Sequence, residues 1–514
     1  MTWDNSAISI TTLLPLVGAL AILCVPRDRD RLIRGLGIFV TGLALVLAVA
    51  IAIGFDYSRD GLQFVLDTSW IDVIGARYHV GIDGISMPLY VLTFLLSFLC
   101  AIYTWRFVPE PGRTKAFVAL MLLLETGMAG TFIAFDLILF FVFWELVLVP
   151  MYFLIGIWGS SNREYAAIKF FLFTLFGSVF MLLGFLGMYF RSDIGGGEHT
   201  FDILQLQQFA QNGGFSNGFQ LVVFGAVALG FAVKVPMWPF HTWLPDAHTE
   251  APTIGSVLLA GIMLKMGTYG FIRIALPLLP YGAQRYAPWI GLLAAIGIVY
   301  ASLACLAQRD LKRLIAFSSV GHMGFVMLGI ATLTEIGIQA AIFGMVAHGI
   351  ITGMLFFCVG SIYDRYHTRQ IAEIGGGMLQ KMPKLASTFA FVAIASLGLP
   401  GLAGFWGEVM ALLSAFNPSE ALLGDHVGLF RVYMVMGGIG TILTAGYFLW
   451  MLQRVNMGVL PDRWNQAPLR DTLTIEWIAW VPLLLLIFAL GLFPRLVFGV
   501  TDDAVRGLMA FLGS

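Results

Sequence analysis

Apolar runs of about twenty residues, the length a helix needs to cross a bilayer, recur from one end of this sequence to the other. Short breaks rich in polar residues, glycine or proline separate them. Of the 514 residues 59% are hydrophobic and 11% are charged, where a soluble domain carries roughly 25% charged residues. No soluble fold buries that much apolar surface, so a water-soluble enzyme and a large extramembrane domain are both excluded. The net charge of -1 leaves no polybasic surface for nucleic acid. Cys24, Cys100, Cys305 and Cys358 are scattered and form no CxxC, which argues against iron–sulfur clusters and structural zinc. Residues 1–27 have no basic segment before the first apolar run, so that run reads as a retained helix and not a cleaved signal peptide.

The runs predict an all-α polytopic membrane protein of about fourteen transmembrane helices, at 6–25, 33–54, 84–106, 115–134, 137–158, 165–190, 219–240, 252–276, 287–307, 311–331, 336–362, 385–415, 431–455 and 473–499. One set of alternate loops holds 18 of the 29 Lys and Arg, and the other set, with the termini, holds 6. The positive-inside rule puts the first set in the cytoplasm and both termini outside. Two outside loops are long. Residues 55–82 carry Asp56, Asp60, Asp67 and Asp72 among apolar residues and allow a short hairpin, and residues 200–211 allow a small amphipathic helix. An ordinary surface loop is the stronger reading of both.

Sliding the chain on itself by 174 residues matches Asp136-Leu137 with Asp310-Leu311, and Ala166-Ala167-Ile168 with Ala340-Ala341-Ile342. It also matches Gly230-Phe231-x-x-Lys234-Val235 with Gly404-Phe405-x-x-Glu408-Val409. The repeat is five helices long, and because five is odd the second copy must sit upside down, an arrangement found in transporters. The division expected is 1–114 for the first three spans, 115–276 and 287–455 for the two repeats, and 456–514 for the last cytoplasmic loop and fourteenth span. Both repeats are interrupted next to an ionisable residue: Pro236 and Pro239 follow Lys234, and Leu399-Pro400-Gly401 precedes Glu408. Proline removes a backbone donor, and broken backbone at membrane depth is tolerated only inside protein or beside water. Two broken helices carrying ion sites are therefore expected.

Six ionisable residues lie mid-span: Glu145, Lys234, Lys265, His322, His348 and Glu408. Each charge at the bilayer centre costs about 2.5–3.5 kcal/mol even on the lenient insertion scale, so such residues are functional candidates. Glu145 and Lys234 can neutralise one another. Lys265 has no acid partner in sequence, which suits a reversible proton carrier, and histidine exchanges protons near neutral pH without help. A buried structural ion pair is the plainer reading of the acids and lysines, and a satisfied core hydrogen bond that of each histidine. Glu125 is a weaker candidate, Asp136 reads as a cap, Lys169 can snorkel, and His241 and His248 read more strongly as parts of a fold-defining turn than as proton-uptake groups. No phosphate-binding loop or metal-ligand spacing is present; the glycine triplets at 195–197 and 375–377 are loop punctuation.

The stretches KVPMWPFHTWLPDAHTEAPTIGS (234–256), FWELVLVPMYFLIGIWG (143–159) and LPGLAGFWGE (399–408) resemble the antiporter-like proton-translocating family. That family includes three large membrane subunits of respiratory NADH:quinone oxidoreductase (complex I) and subunits of multi-component Na+/H+ antiporters. The resemblance covers essentially the whole chain. It implies fourteen helices with two inverted five-helix repeats, a Glu145–Lys234 pair that modulates Lys265, a link through His322 and His348, and Glu408 as the exit-side site. Glu408 matches the member with an acid in its twelfth helix; the others carry lysine there. The resemblance further implies a proton-translocating subunit of the oxidoreductase, in the bacterial inner membrane, beside two related antiporter-like subunits and the lipid bilayer. It would hold no cofactor of its own, with NADH, FMN, iron–sulfur clusters and quinone handled by partner subunits. The alternative is a subunit of a multi-component Na+/H+ antiporter; a purely structural scaffold is disfavoured by the chain of buried charges.

Overall fold

The computed structural model describes residues 3–59, 61–193 and 198–513. Asp60 and the glycine triplet at 195–197 lie outside the described residues. Thirteen helices among those described are long and apolar enough to cross a membrane. Two shorter apolar helices, Pro383–Ser396 and Ala403–Phe416, lie between the eleventh and the next of them. The predicted spans fall on observed helices, with differences at the ends that have local causes. The run expected over 219–240 stops at Lys234, because Pro236 and Pro239 cannot continue the ladder. The run expected over 385–415 is two helices, separated at Leu399-Pro400-Gly401 with Gly398 at φ +81° and Gly401 at φ +91°, a backbone that favours glycine.

The run expected over 473–499 is corrected: the span is Thr474–Leu492. Beyond Pro494 the chain forms a separate amphipathic helix, Arg495–Gly513, which buries Val497, Thr501, Val505 and Leu512. Pro494 ends the span, and Asp502, Asp503 and Arg506 give the following helix its polar face.

The loop readings of 55–82 and 200–211 are also corrected. Strands β1 (Gln63–Ile71) and β2 (Ala76–Ile82) form an antiparallel hairpin, with Leu66 opposite Val80 and Asp67 opposite His79. Its reversal passes through Gly75 at φ 65°. Residues Ile203–Gln211 form a helix whose first turn is capped by Asp202, which accepts from the Gln205 backbone N–H. Three apolar residues at helical spacing, Ile203, Leu206 and Ala210, bury its inner face.

The centre of the molecule is built from Thr253–Leu278, Leu311–Ala331 and Glu335–Tyr366, almost wholly buried, while Asp30–Gly54 keeps most of its surface exposed. The same backbone device occurs twice, with its capping aspartates 174 residues apart. Asp136 caps the helix beginning at Leu137, and Asp310 caps the helix beginning at Leu311. Leu137 N–H donates to the Phe201 carbonyl and Ile203 N–H to Phe135, just as Leu311 N–H donates to Arg369 and Ile371 N–H to Arg309. Five spans separate the two, so they sit at opposite ends of the helix bundle.

Candidate functional site

Lys265 sits in the most buried span, and its surroundings explain how an ammonium is held there. The span Thr253–Leu278 is interrupted by two π-helical turns, Leu259–Met263 and Phe271–Ala275. A π turn loosens the regular ladder and frees carbonyls to other donors. The Lys265 ammonium uses this by donating to the Ala260 carbonyl. Its other partner is Nδ1 of His348, at 2.6 Å. Nothing in the local sequence marks the π turns.

The Lys265–His348 contact depends on glycine. A Cβ at Gly261 would come within 2.4 Å of Leu96, and one at Gly349 within 2.8 Å of the Gly261 carbonyl. The two backbones therefore approach as closely as they do only because neither residue has a side chain, and His348 stands next to Gly349 on the facing helix.

The second half of the site centres on Glu408. It lies on the short helix Ala403–Phe416, whose Gly407 packs so tightly on Gly344 that a Cβ would meet it at 2.8 Å. Glu408 Oε1 lies 2.8 Å from Nδ1 of His322. Nε2 of His322 in turn lies 3.0 Å from the Ser396 hydroxyl, at the end of the preceding half-helix. Glu408 is thus not the isolated carboxyl that its apolar setting in sequence suggests. Ser396 was missed, although its place just before the Leu399-Pro400-Gly401 break is a readable signal for a polar group left facing inward. The two histidine rings are 5.7 Å apart, centroid to centroid.

Lys234 is the last residue of Asn217–Lys234 and is buried. Among the described residues no carboxylate comes within 4.0 Å of it. Glu145, on the helix that ends at Leu146, forms no hydrogen bond or ion pair with it among the described residues. The nearer partner is the face of Trp144, 4.9 Å from the ammonium, a cation–π contact. That ring is oriented by its own N–H, which donates to Ser178 Oγ at 3.0 Å. Trp144 adjoins Glu145 in FWEL and was not singled out in the sequence. No hydrogen bond joins Lys234 to Lys265 among the described residues.

The secondary candidates fall elsewhere. Glu125 is fully buried, and neither of its oxygens has a hydrogen-bond partner among the described residues. Lys169 pairs with Asp246 at 2.7 Å, and Arg313 reaches the same carboxylate at 3.3 Å, tying the WLPDAH helix to two neighbours. The His248 ring stacks on Phe356 at 4.6 Å, and His241 lies 5.1 Å from Tyr300. Among the described residues no group of three His, Cys, Asp or Glu could hold a metal ion.

Comparison with known proteins places the chain among relatives. The family model for the NADH:quinone oxidoreductase/Mrp antiporter transmembrane region matches residues 134–429. The chain is 41% identical to the NADH-quinone oxidoreductase subunit M of Rickettsia bellii, over 98% of each chain. It is 41% identical to the subunit M of Rhodobacter capsulatus, over 98% of this chain and 96% of that one. Among solved structures it is similar to a chain of respiratory complex I from Thermus thermophilus with bound NADH, with a TM-score of 0.85 and 29% identity, covering 99% of this chain and 100% of that one.

Proposed function

This chain belongs to the NADH:quinone oxidoreductase/Mrp antiporter family, on its subunit M branch, and we infer that it carries protons across the membrane as part of a respiratory NADH:quinone oxidoreductase. The observation that carries this reading is the buried polar line across the middle of the protein: Lys265 on His348, then His322 on Glu408. Such groups are expensive in an apolar interior unless used, and each can both take up and release a proton.

In the mechanism we propose, Lys265 holds a proton at the centre. The Glu145–Lys234 region biases it: a change in that pair's separation alters the field at Lys265, and low polarisability between them keeps the effect strong. Release from Lys265 passes by way of His348 to the His322–Glu408 pair, the exit-side site, whose two members share a proton across their 2.8 Å contact. Ser396 holds the His322 ring so that Nδ1 faces Glu408. Electron transfer, with NADH, FMN, iron–sulfur clusters and quinone, belongs to partner subunits, and this chain holds no cofactor of its own. Its neighbours are the two related antiporter-like subunits and lipid.

We further propose that the half-helices Pro383–Ser396 and Ala403–Phe416 count as one broken span, which makes fourteen. Residues 115–276 and 287–455 are then inverted repeats, flanked by 1–114 and 456–514. The paired caps and backbone bridges at Asp136 and Asp310 support the repeat, as does the broken helix beside Lys234 and beside Glu408. The excess of Lys and Arg in alternate loops supports placing both termini on the outer face of a bacterial inner membrane.

The test is the assembled oxidoreductase carrying Lys265→Ala, in sealed vesicles with NADH as donor. Proton pumping should be lost while the subunit still assembles. Lys265→Arg should fail as well, because a guanidinium does not release its proton at any accessible pH. Near-normal pumping by the assembled Ala variant would overturn the reading.

A further inference from the structure

The hydrogen-bonded line has one gap. Lys265 reaches His348, and His322 reaches Glu408, but no hydrogen bond joins the two halves among the described residues. Three residues beside that gap each carry a buried polar atom without a hydrogen-bond partner among the described residues: His348 Nε2, Glu408 Oε2 and Thr352 Oγ1. All three residues line one cavity of about 30 Å3, together with His322 and Ser396. A water needs about 10–15 Å3 of such space and two to four polar partners, so the cavity has room for one or two waters and the partners to hold them.

Thr352 is the telling member. A helical threonine commonly satisfies its hydroxyl on the carbonyl four residues back, as Thr11, Thr93, Thr131 and Thr174 do in this protein. Thr352 does not, although it is wholly buried. Leaving a buried hydroxyl unmatched costs about 1–3 kcal/mol, so a partner in the cavity is called for.

Resting on the proton-transfer reading above, we propose that Thr352 is a positioning residue that holds a water between His348 Nε2 and Glu408 Oε2. This water closes the path. A proton passes from the Lys265 ammonium to His348 Nδ1, and the ring's Nε2 proton leaves to the water. The water gives one of its own protons to Glu408, so it is unchanged in composition and the ring is left as its other tautomer. The Thr352 hydroxyl accepts or donates a hydrogen bond at the water without itself exchanging charge.

Two substitutions separate this role from packing. Thr352→Val keeps the shape and removes the hydroxyl; Thr352→Ser keeps the hydroxyl and removes a methyl. In the assembled oxidoreductase, normalised to subunit content, Thr352→Val should slow NADH-driven proton pumping about tenfold, the scale of one lost hydrogen bond. Thr352→Ser should stay close to wild type. A Val variant that pumps normally, or a Ser variant as impaired as Val, would overturn the proposal. Should the Val variant not assemble, density for a water within hydrogen-bond distance of all three atoms in the native complex decides, and a dry cavity there would overturn it. Lys265→Ala, run alongside, separates the two inferences. If it pumps normally the proton-transfer reading fails; if it fails while Thr352→Val pumps normally, only the role of Thr352 falls.

Discussion

At the scale of single residues, the candidate site is a set of ionisable side chains in spans where charge is costly, and that cost is why they were legible in the sequence. Apolar flanks on both sides single out Glu145, Lys234, Lys265, His322, His348 and Glu408 without any knowledge of the fold. What they touch was not legible: Trp144, Ser178, Ser396 and the Ala260 carbonyl are ordinary residues until the helices bring them in. Lys234 illustrates the limit. A direct ion pair with Glu145 is the simplest expectation, yet the ammonium lies over the Trp144 ring, next to Glu145 in the chain. The two should still be coupled. Glu145→Ala and Lys234→Ala should each depress NADH-driven pumping, and the double variant should lose less than the sum of the single losses. Strict additivity in that cycle would place the two residues in separate roles. Trp144→Leu should weaken pumping by a smaller factor, on the order of the 0.5–2 kcal/mol that a cation–π contact supplies.

At the scale of elements, the proline breaks after Lys234 and before Glu408 were readable because proline has one physical consequence wherever it stands. The π turns around Lys265 were not, since nothing in local composition distinguishes them from regular helix. The hairpin and the Ile203–Gln211 helix were under-read for another reason: they are tied by a contact between residues far apart in sequence. The His79 ring meets Asp202 at 2.5 Å, joining strand β2 to the cap of that helix. Burial disfavours a charged His79, but the hydrogen bond and charge of Asp202 outweigh it and raise the ring above its ordinary value. A raised value means that the contact's stabilisation is fully present below about pH 6.5, the ordinary histidine value, and is lost as pH rises through the higher folded value. Amide exchange over Gln63–Ile82 and Ile203–Gln211 should therefore be slower at pH 6 than at pH 9, after correction for intrinsic rates, and Asp202→Asn should abolish the difference. Helix contact makes a second prediction. Gly349→Val must push against the Gly261 carbonyl and Leu92, at a cost of about 1–3 kcal/mol, and separates Lys265 from His348. Pumping should fall sharply, whereas Gly438→Ala, which meets nothing within 4 Å, should leave it unchanged.

At the scale of the whole molecule, hydropathy alone was enough to place the chain in a membrane and to locate nearly every span, because the bilayer imposes one length on all of them. The end of the last span was misread, since apolar residues continue past Pro494 into the amphipathic helix Arg495–Gly513. Sidedness rests on loop charge, and a single cysteine placed at either terminus should react with an impermeant thiol reagent added outside intact cells. The central claim is that protons cross through the buried line that ends at Glu408. It is tested most directly by NADH-driven acidification in sealed vesicles that contain the assembled oxidoreductase with Glu408→Gln, a change that keeps size and polarity but removes the exchangeable proton. The account predicts that pumping stops in the Gln variant and is partly retained in Glu408→Asp. Pumping at the wild-type rate by the Gln variant would contradict it, and would mean that the proton leaves by another route.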